Sequence, residues 1–318
     1  MDIDPRRLRV LHEVARRGGV MRAAEALHLT ASAVSQQLAL LEREVGLALV
    51  DRSQRRIALT PAGRMLAGYA ERIEEELVEA RRELTRFTER LSGPVSVAAF
   101  PTVIRHLLVP ALEVLAGRHP RLTPRIVELY GPRALDELRL GGIDLAITEH
   151  DADDPGPAPP SFAVHRIHLD RYRIVAPPGW ARTPGAPEIP EDAAGLGEVP
   201  WIAGPPGQAC ARALDRMAAL HGFTPRRVHV IEEFPPVLAL VAAGHGVAIV
   251  PSLALLEVPA GEVVVTGIPE VGARRLDAVT RVSRTGSGEP DPVQAAVISA
   301  LREAADGLAA RLGEHRRM

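Results

Sequence analysis

The chain has 318 residues, is 46% hydrophobic and 25% charged, and carries a formal net charge of −2. That length allows two or three separately cored domains, and the composition is ordinary for a globular protein rather than a disordered or fibrous one. No apolar run is long enough to span a membrane, no signal-peptide core opens the chain, and the single Cys excludes an internal disulfide framework, so a cytoplasmic protein with no membrane partner is expected.

In chain order, the spacing of Leu8, Leu11, Val14 and Ala15 predicts a helix over Pro5–Arg17, stopped by Gly18 and Gly19. Val20, Ala23, Ala24 and Leu27 predict a second helix over Val20–Leu27, and His28, Leu29 and Thr30 make a tight turn. Thr30 is the expected N-cap of a third helix, Ala31–Val45, whose buried stripe is Val34, Leu38, Leu41 and Val45 and which Gly46 ends. Opposite that stripe stand Ala31, Ser32, Ser35 and Gln36. Such short or amide-bearing side chains reach base edges in a DNA groove without a charge to desolvate. Residues 1–70 hold eleven Arg against seven acids, and Arg52, Arg55 and Arg56 follow the helix pair in a short alternating segment that reads as a wing. Positive charge is thus concentrated where phosphates would lie.

Thr60 and Pro61 are a cap and first-turn pair for a long helix. Its apolar positions Leu66, Ala70, Ile73, Leu77, Ala80, Leu84, Phe87 and Leu91 alternate steps of four and three, the repeat of a coiled-coil seam. This argues for a partner helix and a homodimer that sets two reading heads on successive grooves of a palindromic site. Ser92, Gly93 and Pro94 break the helix.

Beyond it strands and helices alternate. Expected are strand Val95–Phe100, helix Val103–Arg118, strand Thr123–Leu129, helix Ala134–Leu140 and strand Asp144–Thr148, then two strands over Phe162–Leu169 and Arg171–Ala176 that cross to another lobe. The second lobe repeats the scheme with strand Pro200–Ala203, helix Gln208–His221, strand Arg227–Ile231, helix Pro235–Ala243 and strand Val247–Val250. Strands Glu262–Ile268 and Arg274–Val282 and a final helix from Asp291 complete it. The expected domains are residues 1–60 for DNA binding, 61–92 for the linker helix and 93–318 for two α/β lobes, lobe I about 94–168 and 269–305 and lobe II about 169–268.

Two such lobes enclose a cleft lined by helix N-termini and strand C-ends. Candidate lining residues are Thr102 and Val103, Thr148 and Glu149, Gly207 and Gln208, and Phe234 and Pro235. Helix N-termini, with Arg105 and His106 one turn in, point to a carboxylate ligand, whereas Glu149 points to an amine or hydroxyl; the residues leave both open. Cys210 reads as a small buried residue rather than a redox sensor, since no second Cys exists to resolve a sulfenate. No metal or other cofactor is expected: His165 and His168, three apart on a strand, should face opposite sides, and Asp151 to Asp154 lacks calcium-loop spacing. Hydrolase, phosphate-loop and dinucleotide fingerprints are absent, so an enzyme or a small-molecule sensor on an α/β scaffold rests on architecture alone.

The blocks Leu-Arg-Val-Leu-His-Glu-Val-Ala, Arg-Ala-Ala-Glu-Ala-Leu-His-Leu-Thr, Ser-Ala-Val-Ser-Gln-Gln-Leu, Leu-Glu-Arg-Glu-Val-Gly and Leu-Thr-Pro-Ala-Gly, in this order between Leu8 and Gly63, resemble the LysR-type transcriptional regulators. Val-Ala-Ala-Gly-His-Gly-Val-Ala-Ile-Val-Pro resembles the same family's effector domain, which is similar to periplasmic binding proteins. The resemblance implies a winged helix-turn-helix, a linker-helix dimer and a two-lobed, doubly wound α/β effector domain. By it, Ser35 and Gln36 fall where the family reads bases, and Arg52, Arg55 and Arg56 fall in its wing. The implied partners are double-stranded DNA, a small-molecule effector, further copies of the chain up to a homotetramer and, for an activator, RNA polymerase. The chain departs from the family's usual residues at Ala31, Ser32, Gln36 and Val50, which bears on the operator sequence rather than on DNA binding.

Overall fold

In the computed structural model, which describes residues 3–51, 58–85, 91–152, 156, 160–180, 194–268, 271–282 and 289–315, the chain divides into two compact units, Met1–Glu89 and Arg90–Met318. In the first, Asp4 caps α1 (Pro5–Arg17) by accepting from the Arg6 N–H at 2.9 Å, and Gly18 in the left-handed region ends it. Helix α2 (Val20–Leu27) closes on His28, which takes a left-handed conformation (φ 54°), and α3 (Ala31–Val45) follows after two residues. Thr30 Oγ1 accepts from the Ala33 N–H at 3.1 Å, the expected cap. The three helices bury Leu8, Leu11, Val14, Ala23, Val34, Leu38 and Leu41 in one core.

Two short strands, β1 (Val50–Asp51) and β2 (Ala58–Leu59), pair antiparallel as the base of the wing. Glu42 on α3 holds them: its Oε1 accepts from the Leu49 and Val50 N–H groups at 2.8 and 3.1 Å. Arg52, Arg55 and Arg56 lie outside the described residues.

Thr60 caps α4 (Pro61–Thr85), accepting from the Gly63 N–H at 3.0 Å. The helix passes so close to the wing that a Cβ on Gly63 would collide with the Leu49 carbonyl. The apolar seam of α4 serves two purposes in succession. Ala70 is buried and Leu66 partly buried against the core of their own unit, whereas Ile73 and Leu77 stand 40% and 47% exposed beside Tyr69 at 52%. The end of the expected seam differs again: Leu91 packs on the core of the second unit, and Phe87 lies outside the described residues.

The second unit is built from one recurring arrangement. In lobe I, β3 (Gly93–Ala99) lies parallel between β4 (Leu122–Glu128) and β5 (Leu145–Asp151), and β5 pairs antiparallel with β11 (Ala273–Arg281). In lobe II, β7 (Pro200–Ala203) pairs parallel with β8 (Arg226–Val230) and bridges Val247, next to β9 (Ala248–Pro251), which runs antiparallel to the end of β6 (Phe162–Ala176). Helices cover both faces: α5 (Pro101–Val103), a π-helical turn over Ile104–Leu108 and α6 (Val109–Arg118) run continuously after β3, and α7 (Gly131–Arg139) joins β4 to β5. In lobe II, α8 (Ala209–His221) and α9 (Phe234–Ala242) take the equivalent places, and α10 (Pro292–His315) packs back on lobe I. Strands buried on both faces feed two cores in alternation, Leu145 and Ile147 one way and Ala146 the other, Ile249 one way and Ala248 and Val250 the other.

The two crossing strands expected at Phe162–Leu169 and Arg171–Ala176 are one continuous strand, β6 (Phe162–Ala176). Its first part pairs with β11 in lobe I and its last residues with β9 and β10 (Val264–Val265) in lobe II, so Asp170 does not interrupt it. Of the expected strand Glu262–Ile268 only Val264–Val265 pairs. His165 and His168 share a face rather than opposing each other. The register slips at Ile167, so that His165 stands across from Ala278 and His168 across from Leu276, two residues that point into the same core.

Candidate functional site

In the first unit, Ser32, Ser35 and Gln36 are exposed on the first two turns of α3, and Thr30 is exposed at its cap. Ala31 is not on that face; it is partly buried against the core. Part of the positive charge anticipated here is spent internally: Arg7 pairs with Glu44, and Arg16 and Arg17 reach Glu13 at 3.1 and 3.4 Å. Arg6, Arg22 and Arg43 stay exposed around the three helices.

In the second unit the candidate site is centred on a residue that the spacing of caps and strand ends did not single out. Arg274, the second residue of β11, is 2% exposed. Its Nε and Nη2 donate to Asp170 Oδ2 at 3.0 and 2.9 Å, and its Nη1 donates to Glu149 Oε2 at 2.6 Å. Asp170 is itself buried on β6, and its Oδ1 accepts from the Leu253 N–H at 3.2 Å. Burial alone would push the guanidinium pKa down, but the Asp170 and Glu149 carboxylates outweigh it and raise it. The guanidinium also lies 5.3 Å from the Phe100 ring centroid in lobe I and 5.9 Å from that of Phe234 in lobe II. The crossing strands therefore deliver one cation to the place where the lobes meet. Its parity with Leu276 and Ala278, which face the core, was the available signal.

Two further contacts join the lobes. Tyr130, the N-cap residue of α7, stacks on Phe100 at 6.3 Å and donates from its hydroxyl to Glu233 Oε1 at 2.9 Å. Burial, followed by that hydrogen bond, raises the phenol pKa. Asp151, at the end of β5, accepts from Arg212 Nε at 3.0 Å and pairs with Arg216 Nη1 at 2.9 Å, both on α8.

The expected lining residues meet different fates. Thr102 is partly exposed in the first helical turn, but Val103 is fully buried in the lobe I core and can offer only backbone; His106 is buried as well. Thr148 is buried, its hydroxyl 3.1 Å from His150 Nε2, and Glu149 is engaged by Arg274. Gly207 takes a positive φ of 86°, and its carbonyl accepts from Arg212. Gln208 is the N-cap residue of α8, but its side-chain amide donates to Glu232 Oε1 at 2.9 Å instead of capping. Phe234 turns its ring to Arg274, while Pro235 is exposed and, with Pro236, removes two N–H groups from the first turn of α9. That helix N-terminus is therefore a poor anion cradle. Cys210 is partly buried in the first turn of α8, and burial pushes its pKa up to about 12, which keeps it a thiol rather than a reactive thiolate.

Residues 5–64 match the family profile described as bacterial regulatory helix-turn-helix protein, lysR family, and residues 88–306 match the LysR substrate binding domain. The chain is 30% identical over 296 residues to the uncharacterized HTH-type transcriptional regulator YfeR of Shigella flexneri, covering 90% of each. It is 27% identical to the HTH-type transcriptional regulator CfxR of Cupriavidus necator, covering 90% of this chain and 87% of that one. Among solved structures it is similar in fold to full-length OxyR of Pseudomonas aeruginosa, with a TM-score of 0.67, 19% identity and 95% of both chains covered. It is also similar to full-length CbnR in complex with its target DNA, with a TM-score of 0.60, 21% identity, and 95% of this chain and 100% of that one covered.

Proposed function

The chain belongs to the LysR family of transcriptional regulators, DNA-binding proteins rather than enzymes, and from that premise we propose how its parts divide the work. Ser32, Ser35 and Gln36 read base edges in the major groove, Thr30 and the wing arginines Arg52, Arg55 and Arg56 hold the backbone, and a small-molecule effector binds in the cleft around Arg274. The observation that carries the DNA half is the exposure of three uncharged polar side chains on the leading turns of a well-capped helix, with exposed Arg6, Arg22 and Arg43 on the same unit. Dimerisation runs through α4, whose Tyr69, Ile73 and Leu77 form an exposed apolar groove that a second copy of the helix would cover. Two dimers joined through their α/β units make a tetramer, and effector binding changes how the lobes pack and hence the spacing and bend of the held DNA.

The test is a gel shift on the DNA upstream of the protein's own gene, titrated with salt. A specific, salt-sensitive shift over competitor is expected. Leu77→Asp should leave a folded monomer by light scattering that has lost the specific shift. Tight palindrome binding by that variant would take α4 out of the dimer.

A further inference from the structure

Resting on the reading of the cleft as the effector site, we infer that the effector is a small hydroxycarboxylate, its carboxylate held at the first turn of α8 and its hydroxyl donated to Asp151. This end of α8 presents donors that the fold leaves without acceptors. Gln208 occupies the N-cap position in extended backbone (φ −73°, ψ 154°), yet its side chain makes no capping bond and reaches Glu232 instead. Ala209 and Ala211 behind it are buried, so the uncapped N–H groups of the first turn are shielded from water. Cys210 between them stays a neutral thiol, its pKa pushed up to about 12 by burial, and brings no negative charge to the turn. Free N–H groups at the positive end of a helix accept an anion.

Tyr172 is an independent sign of the same need. It is 2% exposed on β6 and shares one core with Ala209 and Cys210 of this turn. Its hydroxyl is buried with no hydrogen-bond partner among the described residues, and Cys210 is the ionisable neighbour that acts on it most strongly, ahead of Glu149, Arg274 and Asp151. Burial raises its pKa, so the hydroxyl keeps its proton and is a donor. A buried polar atom left unpaired is costly, and here it faces a helix end that also lacks an acceptor.

The charges around the turn agree. Arg212 lays its guanidinium across the entry of α8: Nη1 donates to the Gly207 carbonyl and Nε to Asp151 Oδ2 at 3.0 Å. Arg216 reaches the same Oδ2 at 2.9 Å, and Arg274, the charge that acts most strongly on Cys210, pairs with Glu149 and Asp170. Arg212, Arg216 and Arg274 thus balance Asp151, Glu149 and Asp170, and the positive end of α8 is left over. Glu232, which Gln208 holds, is exposed to water and its ions, which screen it. The hydroxyl follows from a second unpaired atom. Asp151 Oδ1 is buried without a partner while Oδ2 is taken twice, so it requires a donor. With Arg212 and Arg216 already on that carboxylate, an ammonium would stand beside two cations, whereas a hydroxyl donates without charge.

The test is calorimetric titration of the full chain with lactate and malate. The comparison probes are propionate and succinate, which lack the hydroxyl, alanine, which has an ammonium in its place, and isopropanolamine, which has an ammonium in place of the carboxylate. Lactate or malate should bind at millimolar concentration, severalfold tighter than its counterpart without the hydroxyl, and isopropanolamine should not bind. Gln208→Asp sets a capping carboxylate of the chain's own on the same N–H groups, so it should weaken hydroxycarboxylate binding at least tenfold while raising the thermal midpoint of the free chain. Tyr172→Phe should weaken binding severalfold and leave that midpoint no lower, because the hydroxyl has no bond to lose. No binding of lactate or malate, or binding indifferent to both substitutions, would overturn the inference, and equal binding of propionate, succinate or alanine would overturn the role of the hydroxyl. Binding of isopropanolamine instead, weakened by Tyr172→Phe, would overturn the anion and keep the cleft as the sensor, with the operator gel shift reporting separately on the regulator reading.

Discussion

The two units make their functional surfaces in opposite ways. In the first, the side chains proposed to read bases lie within five consecutive positions, Ser32 to Gln36, and they are polar and uncharged on a helix whose cap and stripe are local. In the second, the candidate site is drawn from Phe100, Tyr130, Glu149, Asp170, Phe234 and Arg274; Asp170 and Arg274 are buried, and Arg274 is paired with residues 104 and 125 positions away in the chain. A reading face must stay unspent until its partner arrives, so exposure and neutrality suit it. The site proposed for the effector instead rests on charges already paired within the fold, Arg274 with Asp170 and Glu149.

Breaking the second kind of surface should cost most. Arg274→Met leaves Asp170 buried without its cation, and removing one partner of a buried pair typically destabilises by about 3–5 kcal/mol. Both tryptophans, Trp180 and Trp201, lie in the second unit, so the loss is read as a lowered denaturant midpoint of tryptophan fluorescence. An unmoved midpoint would show that the shared charge does not hold this unit together. Gln36→Ala tests the first kind of surface: base discrimination at one operator position should fall by about 1–3 kcal/mol in competition gel shifts, with the tryptophan midpoint unchanged. Equal selectivity would remove Gln36 from the reading set.

The smallest effect is a pH dependence confined to the second unit. Burial lowers the pKa of His165 and His168 below the ordinary 6.5, aided at His165 by Arg302. The fold therefore favours their neutral forms. Their contribution is complete above pH 6.5 and is lost as the pH falls through the lowered values, because protonation is easier in the unfolded chain. The tryptophan midpoint should decline on acidification from pH 7 to 5, and His168→Asn should flatten that decline. A decline unaffected by the substitution would assign the acid sensitivity elsewhere.

The helices of the first unit and their caps were legible because each depends on neighbours within four or five residues: Thr30 on Ala33, Thr60 on Gly63, Gly18 and Gly46 on their own backbone freedom. The alternating strands and helices of the second unit were legible for the same reason. The seam of α4 was legible as a repeat, but its division between an inner half at Leu66 and Ala70 and an exposed half at Ile73 and Leu77 was not, since the repeat is the same on either side. Val103 and His106 look like neighbours of a helix N-terminus in sequence; the π-helical turn over Ile104–Leu108 and the core beneath it decide that they point inward.

What the sequence determined by itself is therefore the helices of the first unit, the order of the alternating strands and helices and the family, which are carried by periodicity, caps and contiguous blocks. What only the tertiary structure decided is the chemistry of the cleft. β6 runs through Asp170 as one strand because β11 and β9 pair with it from either side, the register slips at Ile167, and Arg274 comes to rest between Asp170, Glu149 and two rings. The physical reason is that a buried charge is tolerated only where partners converge on it, and that convergence is a property of strand pairing over long separations, which local patterning does not encode.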